Sequence, residues 1–157
     1  MHIARDGQPD PGPVVVVDVD GVLSDASGRQ HHLDGPVRDW AAFFEASVDD
    51  PPIPEGIRLV ERLCAGRTVV LLTARPGRLA ETTVAWMERH GVGWDLLAMR
   101  SDDAGHISSP DVKRAILAEL RADGYEPELA VDDDPRNLAM YRSEGVPTVY
   151  LHSGYYD

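Results

Sequence analysis

A chain of 157 residues with 43% apolar content is long enough to bury one core without disulfide or metal staples. Its 15 basic and 27 acidic side chains give a formal charge of −12, which excludes a broad basic footprint on duplex nucleic acid or on an anionic membrane. A cleft that grips a single phosphate remains open to it. With Cys64 as its one cysteine, the chain can form no internal disulfide, and a reducing cytoplasm is the expected compartment. There is no run of about 18 apolar residues, so no membrane partner is expected.

In chain order, residues 1–13 hold three prolines and two glycines and are expected to be a loose leader to a single domain over residues 14–157. Val14 to Val17, four consecutive β-branched residues, predict a strand buried on both faces. That strand runs into Asp18-Val19-Asp20-Gly21, two acids where an α/β sheet places its ligands. Residues 24–54 are the least regular stretch and are expected to form a small lid or cap insertion. Within it, Pro36 to Ala46 predict a helix whose packing side is Trp40, Phe43 and Phe44, at core-helix spacing rather than as a base-stacking platform. His31-His32 is not expected to ligate metal, because adjacent loop residues rarely converge on one ion.

Glu55 to Ala65 predict an amphipathic helix that buries Cys64 and stops at Gly66. Thr68 to Leu72 predict a second buried strand, ending in Thr73-Ala74-Arg75, with a helix from Pro76 to His90 behind it. Trp94 to Met99 predict a third strand ending at Arg100. Ser109-Pro110-Asp111 read as a helix start, with Ser109 as the cap. Lys113 in that first turn opposes the helix dipole, so a nearby anion is expected. Leu129 to Val131 predict a fourth strand ending in Asp132-Asp133-Asp134, with Asp134 capping the helix that Pro135 begins. Thr148 to Leu151 predict the fifth. Alternating strands and helices predict a doubly wound, Rossmann-like α/β fold on a five-stranded parallel sheet, with at most a small cap insertion.

Three strands and one helix start thus converge Asp18, Asp20, Thr73, Arg75, Lys113, Asp132 and Asp133 on one edge. Hard oxygen donors without a Cys/His cluster favour Mg²⁺ over zinc. A carboxylate beside that ion can attack phosphorus, and phosphoryl transfer needs mainly positioning and charge neutralisation. The motifs DVDGV, LLTAR, VK and VDDDP, in this order, resemble those of the haloacid dehalogenase-like phosphatases over nearly the whole chain after Pro13. Asp39-Trp40, Thr73-Ala74-Arg75-Pro76, Thr83 with Trp86, Met99-Arg100 and Asp111-Val112-Lys113 are further similar to the phosphatase half of polynucleotide kinase-phosphatases. Ser109 departs from that subgroup, where an acid would be expected.

The resemblance implies Asp18 as nucleophile, Asp20 as general acid/base, and Thr73 and Lys113 as phosphate binders. It implies Mg²⁺ on Asp18, the backbone carbonyl of Asp20 and Asp132, with Asp133 close behind. Arg75 and Arg100 are the expected contacts to substrate phosphate. The implied reaction is Mg²⁺-dependent phosphomonoester hydrolysis through an aspartyl-phosphate, on DNA or RNA 3′-ends. A nucleotidase or small-metabolite phosphatase is the alternative. A phospho-accepting signalling receiver is the competing class, but its phosphorylated Asp would end the third strand, where none stands here.

Overall fold

The computed structural model describes residues 2–157. Six strands form one sheet in the order β1-β4-β3-β2-β5-β6, with β1 at His2–Ala4, β2 at Gly12–Val17, β3 at Thr68–Pro76, β4 at Leu96–Arg100, β5 at Tyr125–Asp132 and β6 at Thr148–Tyr150. Every pairing is parallel except that of β1 with β4. The expected leader therefore supplies a sixth, antiparallel edge strand. Its three residues are too few to carry an alternation signal; the open edge of β4 orders them, pairing Ile3 with Leu97.

The valine run behaves as its composition dictates. Val15 and Val17 enter one core cluster and Val14 and Val16 the other, all at most 1% exposed. At roughly 1.5–3 kcal/mol for each buried valine, this strand is held from both sides. Helices α2 (Pro54–Leu63) and α3 (Ala80–Arg89) cover the first face through Val60, Trp86 and Met87. Helices α4 (Ser109–Ala122) and α5 (Pro135–Ser143) cover the second through Val112, Ile116, Leu117 and Tyr141. Gly56 lets α2 approach closely, since a Cβ there would lie 1.6 Å from the Val22 carbonyl oxygen.

Some boundaries differ from expectation for local reasons. The helix expected over Pro36 to Ala46 is shorter: α1 spans Trp40–Glu45, because Asp39 is its N-cap and accepts from Ala42 N at 3.0 Å. Ser108, not Ser109, caps α4, accepting from Asp111 N and donating to Asp111 at 2.7 Å. The β3 strand runs on to Pro76, which pairs with Arg100, so the helix after it begins only at Ala80. Among the described residues no helix is long and apolar enough to cross a membrane.

The chain leaves β2 toward β3 on one side and returns to its other side as β5. Asp18 thus follows the strand at which the winding direction reverses, where open α/β sheets form their ligand crevice.

Candidate active site

Asp18 stands just beyond β2, its backbone N–H still bonded to the Val131 carbonyl at 2.9 Å. Lys113 Nζ reaches it at 2.9 Å and reaches Asp132 at 2.6 Å. The lysine is 1% exposed, so the residue in an unfavourable place on its helix is held there by two carboxylates. Burial alone would lower its pKa, but Asp132 and Asp18 outweigh that and raise it well above the ordinary lysine value. Asp132 is fully buried and further fixed by Asp134 N at 2.9 Å and Asn137 Nδ2 at 3.2 Å.

Asp18, Asp132 and Asp133 each offer an oxygen within 4.8 Å of the others. One lysine against three acids leaves negative charge uncompensated. Burial, then the neighbouring Asp132, push Asp18 well above its usual range. Burial raises Asp133 to about 7. Both carboxylate oxygens of Asp133 are buried without a hydrogen-bond partner among the described residues, a costly state for a polar group. The arrangement fits a hard divalent cation, which takes carboxylate oxygens and cancels the excess charge. Gly21 makes room for the Asp133 carboxylate: at φ +84°, a Cβ there would lie 2.0 Å from Asp133 Oδ2.

The carboxylate of Asp20 points elsewhere. Arg75 holds it through Nε at 3.1 Å and Nη2 at 2.7 Å, and Arg29 Nη2 holds it from the other side. Burial would raise its pKa, but the Arg75 and Arg29 guanidiniums prevail and hold it well below the carboxylate range. Arg29 is itself bound to Asp50 at 2.7 Å, and Asp50 accepts from Ser24 Oγ. Side-chain metal ligation by Asp20 is therefore not what this geometry offers; among the described residues, the carboxylate group that could hold an ion omits it.

Two expected substrate contacts are placed differently from one another. Arg75 is 1% exposed, and besides Asp20 it donates to Thr83 at 3.3 Å and Ser24 at 3.1 Å. Its side chain is turned to positioning Asp20, because a buried guanidinium must satisfy its donors locally. Arg100 does line the cavity, yet Nε and Nη1 bond the Ala74, Ala104 and Ile107 carbonyls at 2.9, 2.7 and 2.6 Å. Thr73 is buried, its hydroxyl accepting from Arg75 N at 3.1 Å.

A cavity of about 800 Å³ opens over Asp18, Asp20 and Lys113, walled by the 24–54 stretch and by the C-terminal Tyr155 and Tyr156. Sequence reasoning missed Arg29, Asp50 and Asn137. Arg29 and Asp50 lie 21 residues apart in irregular chain, where no periodicity marks a buried ion pair. Asn137 was findable, being in the first turn of the helix that follows the acid triplet.

A family model described as the polynucleotide kinase PNKP phosphatase domain matches residues 12–156. No curated protein matches the chain in sequence. Among solved structures, a chain of the Pnkp1/Rnl/Hen1 RNA repair complex superposes with TM-score 0.73 at 22% identity, over 97% of this chain and 46% of that one. The chain thus spans about half the length of that relative. The class C acid phosphatase of Bacillus anthracis gives 0.65 at 16% identity, over 94% and 69%. A haloacid dehalogenase-like hydrolase of Streptococcus pneumoniae gives 0.58 at 14%, over 94% and 87%.

Proposed function

The chain belongs to the family of PNKP phosphatase domains, and from that premise we propose a Mg²⁺-dependent phosphomonoesterase that removes 3′-phosphates from nucleic-acid ends through phospho-Asp18. That it is a phosphatase follows from the family. The observation that carries the mechanism is the buried set of Asp18, Asp132 and Asp133 around Lys113, open to the cavity only through Asp18 and Lys113.

In this reading Asp18 attacks phosphorus, and the bond to the leaving 3′-oxygen breaks. As negative charge builds on that oxygen, Asp20 relays to it a proton taken up from solvent, its own carboxylate being ionised beside Arg75 and Arg29 before substrate binds. Held ionised by Arg75 and Arg29, Asp20 is then ready to take the proton of the water that hydrolyses phospho-Asp18 and frees phosphate. Lys113 and the Thr73 hydroxyl bind the non-bridging oxygens. Mg²⁺ held by Asp18, Asp132, Asp133 and the Asp20 carbonyl would neutralise charge on the transferring group. The single domain takes in the β1 strand at its edge, with residues 24–54 as a lid that delivers Arg29 and Asp50 to Asp20. The lone cysteine suits a reducing cytoplasm, and burial pushes the Cys64 thiol up to about 11, leaving it unreactive.

The metal is expected to declare itself in stability as well as in rate. The folded pKa of Asp133, about 7, lies above its unfolded value near 3.8, so its contribution to stability is present below pH 4 and is lost as pH rises through 7. A bound cation reverses that loss. Mg²⁺ should therefore raise Tm more at pH 8 than at pH 5.5, and chelator should remove turnover until Mg²⁺ or Mn²⁺ is restored. Full activity in excess chelator, with no metal-dependent Tm, would exclude the metal.

The substrate class is tested by rates on 3′- and 5′-phosphorylated oligonucleotides, mononucleotides and sugar phosphates. The 3′-phosphorylated strand should be preferred at least tenfold over the 5′. A few nucleotides should suffice, with only a modest salt slope for a chain of net charge −12. The membership of a related chain in an RNA repair complex supports including RNA. Preference for mononucleotides or sugar phosphates would instead make it a nucleotidase or metabolite phosphatase of the same mechanism.

A further inference from the structure

The helix α1 carries an aromatic residue that packing does not account for. Phe43 is 7% exposed, as core spacing predicts, but Trp40 is 45% exposed while lining the same cavity as Asp18 and Asp20. Its indole is not loose. It meets Phe43 edge-on at 5.6 Å and stacks on Phe44 at 6.0 Å between ring centroids. Phe43 lies beneath the Arg29 guanidinium at 4.3 Å, and its carbonyl accepts from Arg29 Nη1 at 3.2 Å. Arg29 in turn grips Asp20. A half-open aromatic surface is thus held at fixed reference to the group that handles the leaving oxygen. Two residues earlier, Arg38 lines the same cavity, is exposed and has no ion pair among the described residues.

Resting on the 3′-end reading, we infer that Trp40 is a stacking platform for a nucleobase at the 3′-phosphorylated end, and that Arg38 pairs with the phosphodiester on its 5′ side. Every base has a π-face, so a platform of this kind accepts any sequence; one arginine supplies one phosphate contact, in keeping with an otherwise acidic protein. The site thereby selects a strand end over a phosphate ester that lacks a base.

The test compares a short 3′-phosphorylated oligonucleotide with the same strand carrying an abasic 3′-terminal residue and an abasic neighbour. Trp40→Ala should raise KM for the base-bearing strand roughly 5- to 100-fold, and raise it far less for the abasic strand. Trp40→Phe, which keeps a stacking face, should recover most of that loss. Tryptophan emission gives a readout needing no change at Trp40. Trp86 and Trp94 are buried, so quenching of Asp18→Asn protein by the base-bearing but not the abasic strand reports Trp40. Equal KM losses on both strands, or quenching by neither, would overturn the platform while leaving the 3′-phosphatase reading standing. Failure of the parent to cleave either strand while it cleaves p-nitrophenyl phosphate would overturn the 3′-end reading, and the platform with it.

Discussion

Asp18→Asn is expected to leave a folded protein without measurable turnover, a loss of at least about 10⁴-fold of the kind seen when a nucleophile is removed. The amide fills the same volume but cannot attack phosphorus. The fold should not suffer. Burial and the adjacent Asp132 already oppose ionisation at position 18, so removing that charge relieves repulsion in the metal-free protein. Lys113 keeps its 2.6 Å pairing with Asp132. The predicted signature is a Tm equal to or above the parent's with no activity, and it separates lost chemistry from lost folding. Residual turnover near the parent level would remove Asp18 from the centre of the mechanism.

Lys113→Met should have the opposite signature. The ammonium is the cation between Asp18 and Asp132, and its removal leaves two buried carboxylates facing each other. Breaking a buried pair in this way costs about 3–5 kcal/mol, so the metal-free protein should lose on the order of 10 °C in Tm. Mg²⁺ should restore part of that loss without restoring turnover, because the ion replaces the missing positive charge but not the donor to the transferring phosphate. The check is a pair of melting curves, with and without Mg²⁺, beside an activity assay. Parent-like stability of the metal-free variant would mean that Lys113 does not hold the acids together.

How far the sequence speaks depends on the distance over which an interaction acts. The four-valine strand, the acid pair at its end and Lys113 near the start of a helix are local patterns, and the structure keeps each, with Lys113 just past the first turn because Ser108 is the cap. Asp134 caps its helix through Arg136 N at 2.9 Å, as a residue before Pro135 should. The β1 strand was not legible because pairing to β4 creates it. The partners of Arg75 were not legible for a related reason. Its place after Thr73 suggests a phosphate contact, while its guanidinium meets Asp20 and, from the irregular stretch that follows, Ser24 and Asp50. The aromatic trio shows both outcomes at once: helical spacing finds Phe43 in the core, yet cannot tell that Trp40, one turn back, faces the cavity.

The central claim is that the phosphate of a nucleic-acid 3′-end passes through Asp18. It is tested most directly by acid-quenching a reaction on an oligonucleotide carrying a radiolabelled 3′-phosphate and mapping the protein-bound label. The label should be released by hydroxylamine, lie on the peptide bearing Asp18 and be absent from Asp18→Asn protein. Steady hydrolysis of that substrate with no label on the protein, or with label on any other residue, would contradict it.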